Sequence, residues 1–114
     1  MNKKVFLPLV LIVLLIGGLI YYFLAVSQYE PSQELYEFPI PKNAELIQKS
    51  SYGISYDWSL ASEEHGIPYG YKWAIKANGW KEGEREGASV HYTKGNRKID
   101  LISSTKHLNI LKVK

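Results

Sequence analysis

The sequence predicts an α+β protein: an N-terminal transmembrane helix, then a small antiparallel sheet in the order ββαβββ with one helix packed on one face. Three observations predict it. The 25 residues from Val5 to Tyr29 carry no formal charge. Tyr52, Ile54, Tyr56, Trp58 and Leu60 alternate without a break, the period of a half-buried strand. Tyr71, Ala74, Ile75 and Asn78 recur at helical spacing and are followed by Gly79, a residue suited to a helix end.

The apolar part of the first stretch, Val5 to Val26, is 22 residues long, and 16 of these are Val, Ile, Leu or Phe. As a helix it measures about 33 Å, enough for a hydrocarbon core of about 30 Å. Those side chains favour insertion by about 5 to 10 kcal/mol. Pro8 falls in the first turns, where its missing N–H costs little. Gly17-Gly18 lies inside the span without a GxxxG partner. Tyr21, Tyr22 and Phe23 stand near the far end, where an interfacial aromatic belt belongs. Lys3 and Lys4 precede the span, and Glu30, Glu34 and Glu37 follow it. The positive-inside rule therefore places residues 1–4 in the cytoplasm and the C-terminal domain outside, in a cell membrane crossed once. The rival is a cleaved signal peptide, because Ala25-Val26-Ser27 puts small residues at the two positions a signal peptidase reads, with cleavage before Gln28. The apolar stretch exceeds the usual h-region of about 7–15 residues, which favours a retained signal-anchor. Cysteine is absent, so the chain has no lipid-bearing cysteine, disulfide or thiolate metal site.

Residues 27–43 contain Pro31, Pro39 and Pro41 and read as an extended spacer that lifts the domain off the membrane. Residues 44–114 read as the folded extracytoplasmic domain. A first strand is expected over Ala44 to Ser50 and a second over Tyr52 to Leu60, with Gly53, Ser55, Asp57 and Ser59 on its wet face. A turn follows at Ala61 to Gly66, then a helix over Ile67 to Asn78 entered through Pro68. Gly79 in the left-handed conformation ends that helix, and Trp80 packs back onto Ile75 in a Schellman motif. The stretch from Trp80 to Gly87 reads as a charged loop. Ala88 to Lys94, Lys98 to Ser103 and His107 to Val113 read as three strands, joined at Gly95-Asn96 and at Ser104-Thr105-Lys106.

The run Pro39-Ile40-Pro41-Lys42-Asn43-Ala44-Glu45, Tyr71 four residues before Ile75, then Gly79-Trp80 and Tyr92-Thr93-Lys94, form an outline from Pro39 to Val113. It resembles a family of small membrane-anchored or exported bacterial domains of unknown function, with the pattern P-x-P-x-x-A … Y-x-x-x-L-x-x-x-G-W … K-x-x-x-x-I. Ile75 stands where that pattern has Leu. The resemblance implies a fold and a compartment and brings no active site with it.

Beyond the span, 12 Lys and Arg stand against 11 Asp and Glu, without the clustered basic face that nucleic-acid binding needs. His65, His91 and His107 are not spaced as metal ligands on one element. Asp57 with Glu63-Glu64-His65 offers carboxylates near the helix start, but a helix dipole explains acidic residues there without catalysis. Ser59, Ser62, Ser103 and Ser104 lack a nucleophile elbow, and the glycines are scattered turn residues. No enzyme, cofactor, metal or small-molecule substrate is expected. The aromatic residues say more. Tyr69 and Trp73 are four apart on the helix side away from Ile75, flanked by Lys72 and Lys76. Such a set suits a protein contact, since aromatics concentrate at hot spots; the competing reading packs Trp73 on the sheet edge or the spacer. The expected function is binding of a membrane or envelope protein partner by a domain anchored in the bilayer. The alternative is a small immunity or exclusion protein.

Overall fold

The computed structural model describes residues 3–113; of the N-terminal residues assigned to the cytoplasm, Met1 and Asn2 lie outside the described residues, as does Lys114 at the other end. Helix α1 (Lys3–Val26) is followed by strands β1 (Tyr29–Ser32) and β2 (Phe38–Pro41), then β3 (Glu45–Lys49) and β4 (Gly53–Asp57). Helix α2 (Tyr69–Ala77) leads to β5 (Lys81–Glu86), β6 (Ser89–Lys94), β7 (Arg97–Ser104) and β8 (His107–Lys112). Strands β3 to β8 form one antiparallel sheet in the order β3-β4-β8-β7-β6-β5, while β1 and β2 pair as a separate hairpin. The class is α+β, as the sequence predicts.

α1 is long and apolar enough to cross a membrane, and none of its residues is buried against the rest of the protein. Its helical pattern continues through Pro8 and through Gly17-Gly18.

The spacer expected over residues 27–43 is instead folded. β1 and β2 pair with Pro31 opposite Pro39, joined by a 3-10 turn at Gln33–Leu35 and by Tyr36 and Glu37 at φ 57° and 66°. The residue before a proline is held in the extended region, which is also the strand conformation, so the same prolines suit a two-stranded ribbon. Leu35 and Phe38 of this hairpin are completely buried. The ring of Phe38 meets Trp80 at 5.2 Å, Tyr92 at 5.5 Å and Tyr71 at 6.4 Å between centroids.

The core lies between one face of the sheet and a lid made of α2 and the hairpin. Ile54 and Tyr56, Leu108 and Ile110, Ile99 and Leu101, and Tyr92 are its sheet side; Tyr71, Ile75 and Trp80 come from the α2 side. The alternation in the second predicted strand holds for Ile54, Tyr56 and Trp58, and fails at its ends, where Tyr52 and Leu60 are exposed beyond β4. The first strand lies at a sheet edge, and all five of its residues, Leu46 and Ile47 included, are exposed.

α2 is shorter at both ends than the helix read from periodicity. Pro68 is its N-cap in extended conformation rather than its first helical residue. Its far end matches the expectation: Gly79 has φ 89°, Gly79 N donates to Lys76 O at 3.0 Å, and Trp80 N donates to Ile75 O at 3.3 Å. That bond pair is the Schellman motif. The charged stretch after Trp80 is not a loop but the second sheet-edge strand, β5, with an irregularity between Glu82 and Arg85. Its charges and its kink are devices that protect an edge from pairing with other chains.

Candidate interaction groove

The four residues singled out on the helix, Tyr69, Lys72, Trp73 and Lys76, line one open groove of about 600 Å³ between α2 and the β5 edge. α2 presents them because its opposite face, Tyr71, Ala74 and Ile75, is committed to the core. Tyr69 is 75% exposed, the highest value among the exposed large hydrophobic side chains. The Lys72 amine lies 5.5 Å from the centre of the Tyr69 ring and 3.9 Å from Glu82 Oε1.

Trp73 is not free on the helix surface, and the rings it meets belong neither to the sheet edge nor to the hairpin. It packs on the last turns of α1, with its ring 6.0 Å from that of Tyr21 and 5.8 Å from that of Tyr22. One turn earlier, a Cβ built on Gly70 would stand 3.4 Å from Ala25 Cβ. Just past α1, Tyr29 stacks on Tyr71 at 4.7 Å with the rings 5° from parallel. The aromatic end of α1 is thus an anchor point for the domain as well as an apolar helix end.

Across the groove, β5 contributes Lys81 and Glu82, where the sequence predicts a loop. The alternating charges of this strand carry no apolar period, so nothing in the sequence signals that Glu82 comes to face Tyr92. The Tyr92 hydroxyl donates to Glu82 Oε1 at 3.0 Å. Burial first, and the Glu82 charge second, push the Tyr92 phenol well above the usual tyrosine range. Trp80, 2% exposed, closes the floor, and its indole N–H is buried without a hydrogen-bond acceptor. Three lysine amines, from Lys72, Lys76 and Lys81, therefore line the groove against one carboxylate that is already engaged.

A second cavity of about 220 Å³ lies between the 62–67 segment and β5–β6, over an apolar floor of Ile67, Val90 and Leu101. Arg85 ties its rim together, donating from Nε to Gly87 O at 2.8 Å and from Nη2 to Glu63 O. Ser103 within it is used structurally: its Oγ donates to Ser62 O at 2.9 Å and accepts from Ser62 N at 3.1 Å. Of the carboxylates read near the helix start, Glu63 and Glu64 are exposed, and Asp57 sits 2.6 Å from His107 Nδ1 on the polar sheet face. On the same face Ser89 Oγ donates to Asp100, which lies 4.0 Å from His91 Nδ1. The serine is bonded to the carboxylate rather than to the imidazole, an order unlike that of an activated nucleophile. Among the described residues no group of three or more His, Cys, Asp or Glu is placed to hold a metal ion.

The chain matches no protein-family model, no curated protein and no solved structure.

Proposed function

We propose that this is a single-pass membrane protein, retained by α1 with its N-terminus in the cytoplasm and its folded domain outside, which works by binding rather than by catalysis. Its partner is a membrane or envelope protein that docks at the outer end of the groove beside α2. The observation that carries this reading is Tyr69: a highly exposed aromatic ring with the Lys72 amine beside it, at the mouth of the groove. Exposed aromatic rings of this kind anchor protein interfaces. Neighbouring lysines favour an acidic surface on the partner and raise its rate of encounter.

The test places a photo-crosslinking phenylalanine derivative at Leu60, an exposed residue that lines a cleft with Tyr69 and Lys72, in the full chain and irradiates intact membranes. A discrete crosslinked partner is expected, recovered at least about tenfold less well from a Y69A/K72E double variant, the scale of a hot spot worth about 1.4 kcal/mol or more. Equal recovery from the double variant overturns the assignment of the site. Protease added to intact spheroplasts digests a C-terminal tag if the domain is outside; a protected tag overturns the orientation.

A further inference from the structure

α2 runs back down α1, towards the body of the apolar span. Gly70 lies beside Ala25, and Trp73, one turn later in α2, meets Tyr21 and Tyr22, one turn earlier in α1. One turn further still, Ala77 lines a cleft of about 340 Å³ with Tyr22, Trp73 and Lys76. From Gly70 to Trp73 the step forward along α2 is a step back along α1, so the two helices are antiparallel where they touch. Tyr22 sits four residues, about 6 Å, inside the end of α1 at Val26. For a helix that crosses a bilayer this is the level of the headgroups, where Tyr and Trp rings are at home.

Cations gather at the same end of α2. Lys76 lines the cleft with Tyr22, and Lys81 and Gly79 lie together along the groove. The Lys94 side chain reaches them from the end of β6, its Cε 3.2 Å from where a Cβ on Gly79 would stand. None of the three amines has an acidic partner within ion-pair distance among the described residues. Lys76 on a wet-and-greasy cleft at headgroup depth, with Lys81 and Lys94 beside neighbouring Gly79, matches a phosphodiester that carries acyl chains.

We infer that the C-terminal end of α2 is a binding site for an anionic phospholipid of the leaflet in which α1 ends, an inference that rests on the reading that α1 spans the bilayer. Lys76, Lys81 and Lys94 hold the headgroup phosphate by charge-assisted hydrogen bonds. Trp73 and Ala77 present the apolar wall beside it. The domain is thereby seated on the membrane, with the outer end of the groove, at Tyr69 and Lys72, turned away from the lipid.

The experiment uses the full chain reconstituted in vesicles of phosphatidylcholine with a minority of phosphatidylglycerol. Spin-labelled phosphatidylglycerol and spin-labelled phosphatidylcholine are compared for the fraction immobilised at the protein. The native chain is expected to prefer the anionic lipid, and the K76Q/K81Q/K94Q variant to lose about fivefold or more of that preference, the effect of one lysine or more at an anionic surface. A native chain without preference, or a variant that keeps all of it, overturns the site. Because the chain has no cysteine, single labels can be placed at will. A label on A77C is expected to meet a lipid-phase quencher and one on T105C, in the β7–β8 turn, only an aqueous one; an aqueous label at 77 overturns the seating. A label on L14C separates the two readings: outside the lipid it overturns the span and this site together, inside the lipid it leaves the span standing whatever the site does. The Y69A/K72E variant keeps the lipid preference, so loss of the protein-docking reading does not touch this one.

Discussion

Tyr71 gathers the domain around one ring. It stacks on Tyr29, meets Trp58 edge-on at 5.4 Å, and donates its hydroxyl to Pro39 O at 2.7 Å. Desolvation, reinforced by neighbouring tyrosines, holds its phenol well above the usual value. The sign of the pH dependence follows. Above about pH 10 the unfolded chain releases this proton and the folded chain keeps it, so stability falls as pH rises. Below that point Y71F costs about 1 kcal/mol, because Pro39 O loses its buried donor. By pH 11 the native chain has lost about 1.4 kcal/mol that the variant does not lose. Urea unfolding of the full chain in detergent should therefore show two stability curves that converge between about pH 9 and 11; parallel curves would falsify the assignment.

At the scale of elements, the hairpin β1–β2 is the piece whose character the structure changes most. Were it a spacer, truncating Phe38 would leave the domain untouched. With Phe38 fully buried among three other rings, F38A should destabilise it by about 3 to 5 kcal/mol, read as a shift of the denaturant midpoint with the slope retained. Much of the rest was legible. α2 and its Gly79 end, β4, and the three consecutive strands β6 to β8 all carry apolar residues at the period of the element they form. The hairpin escaped because Pro31, Pro39 and Pro41 enforce extended backbone, which is equally the signature of a linker and of an unshielded ribbon. β5 escaped for another reason: KEGERE has no apolar residue through which a period of two can be seen, since an edge strand facing water on both sides needs none. The groove was half legible for the same reasons. Tyr69, Lys72, Trp73 and Lys76 share a helix face and declared themselves by spacing, whereas Lys81 and Glu82 reach it only through strand pairing. No spacing along the chain could reveal that Trp73 lands on Tyr21 and Tyr22, some fifty residues earlier.

For the whole molecule, that landing joins a helix long and apolar enough to cross a membrane to a folded domain without a free tether between them. Gly70 of α2 lies against Ala25 of α1, and the available space there is graded. A methyl group there makes ordinary contact with Ala25 at 3.4 Å, while anything longer has to displace α1 or α2. G70A is expected to leave the junction in place, and G70L to open it. Double electron–electron resonance between labels on L14C and T105C reads the difference: one narrow distance for the native chain and G70A, a broad distribution for G70L. A narrow distribution in all three would mean that the helix contact does not set the domain's position.

The same junction bears on how long the N-terminal helix stays attached. Ala25, Val26 and Ser27 are the residues a processing peptidase would read, and a protease must take its substrate in an unwound form. Here Ala25 and Val26 belong to α1, Ser27 N donates to Phe23 O at 2.9 Å, and Ser27 Oγ donates to Leu24 O at 2.8 Å. Gly70 and Tyr29 lie against this stretch or immediately after it. Once the domain has closed, cutting requires the junction to come apart first. Were α1 inserted in a membrane and met by such an enzyme, its retention would turn on timing: a domain that folded promptly would hide the 25–27 stretch, and one slowed by a core defect would leave it open.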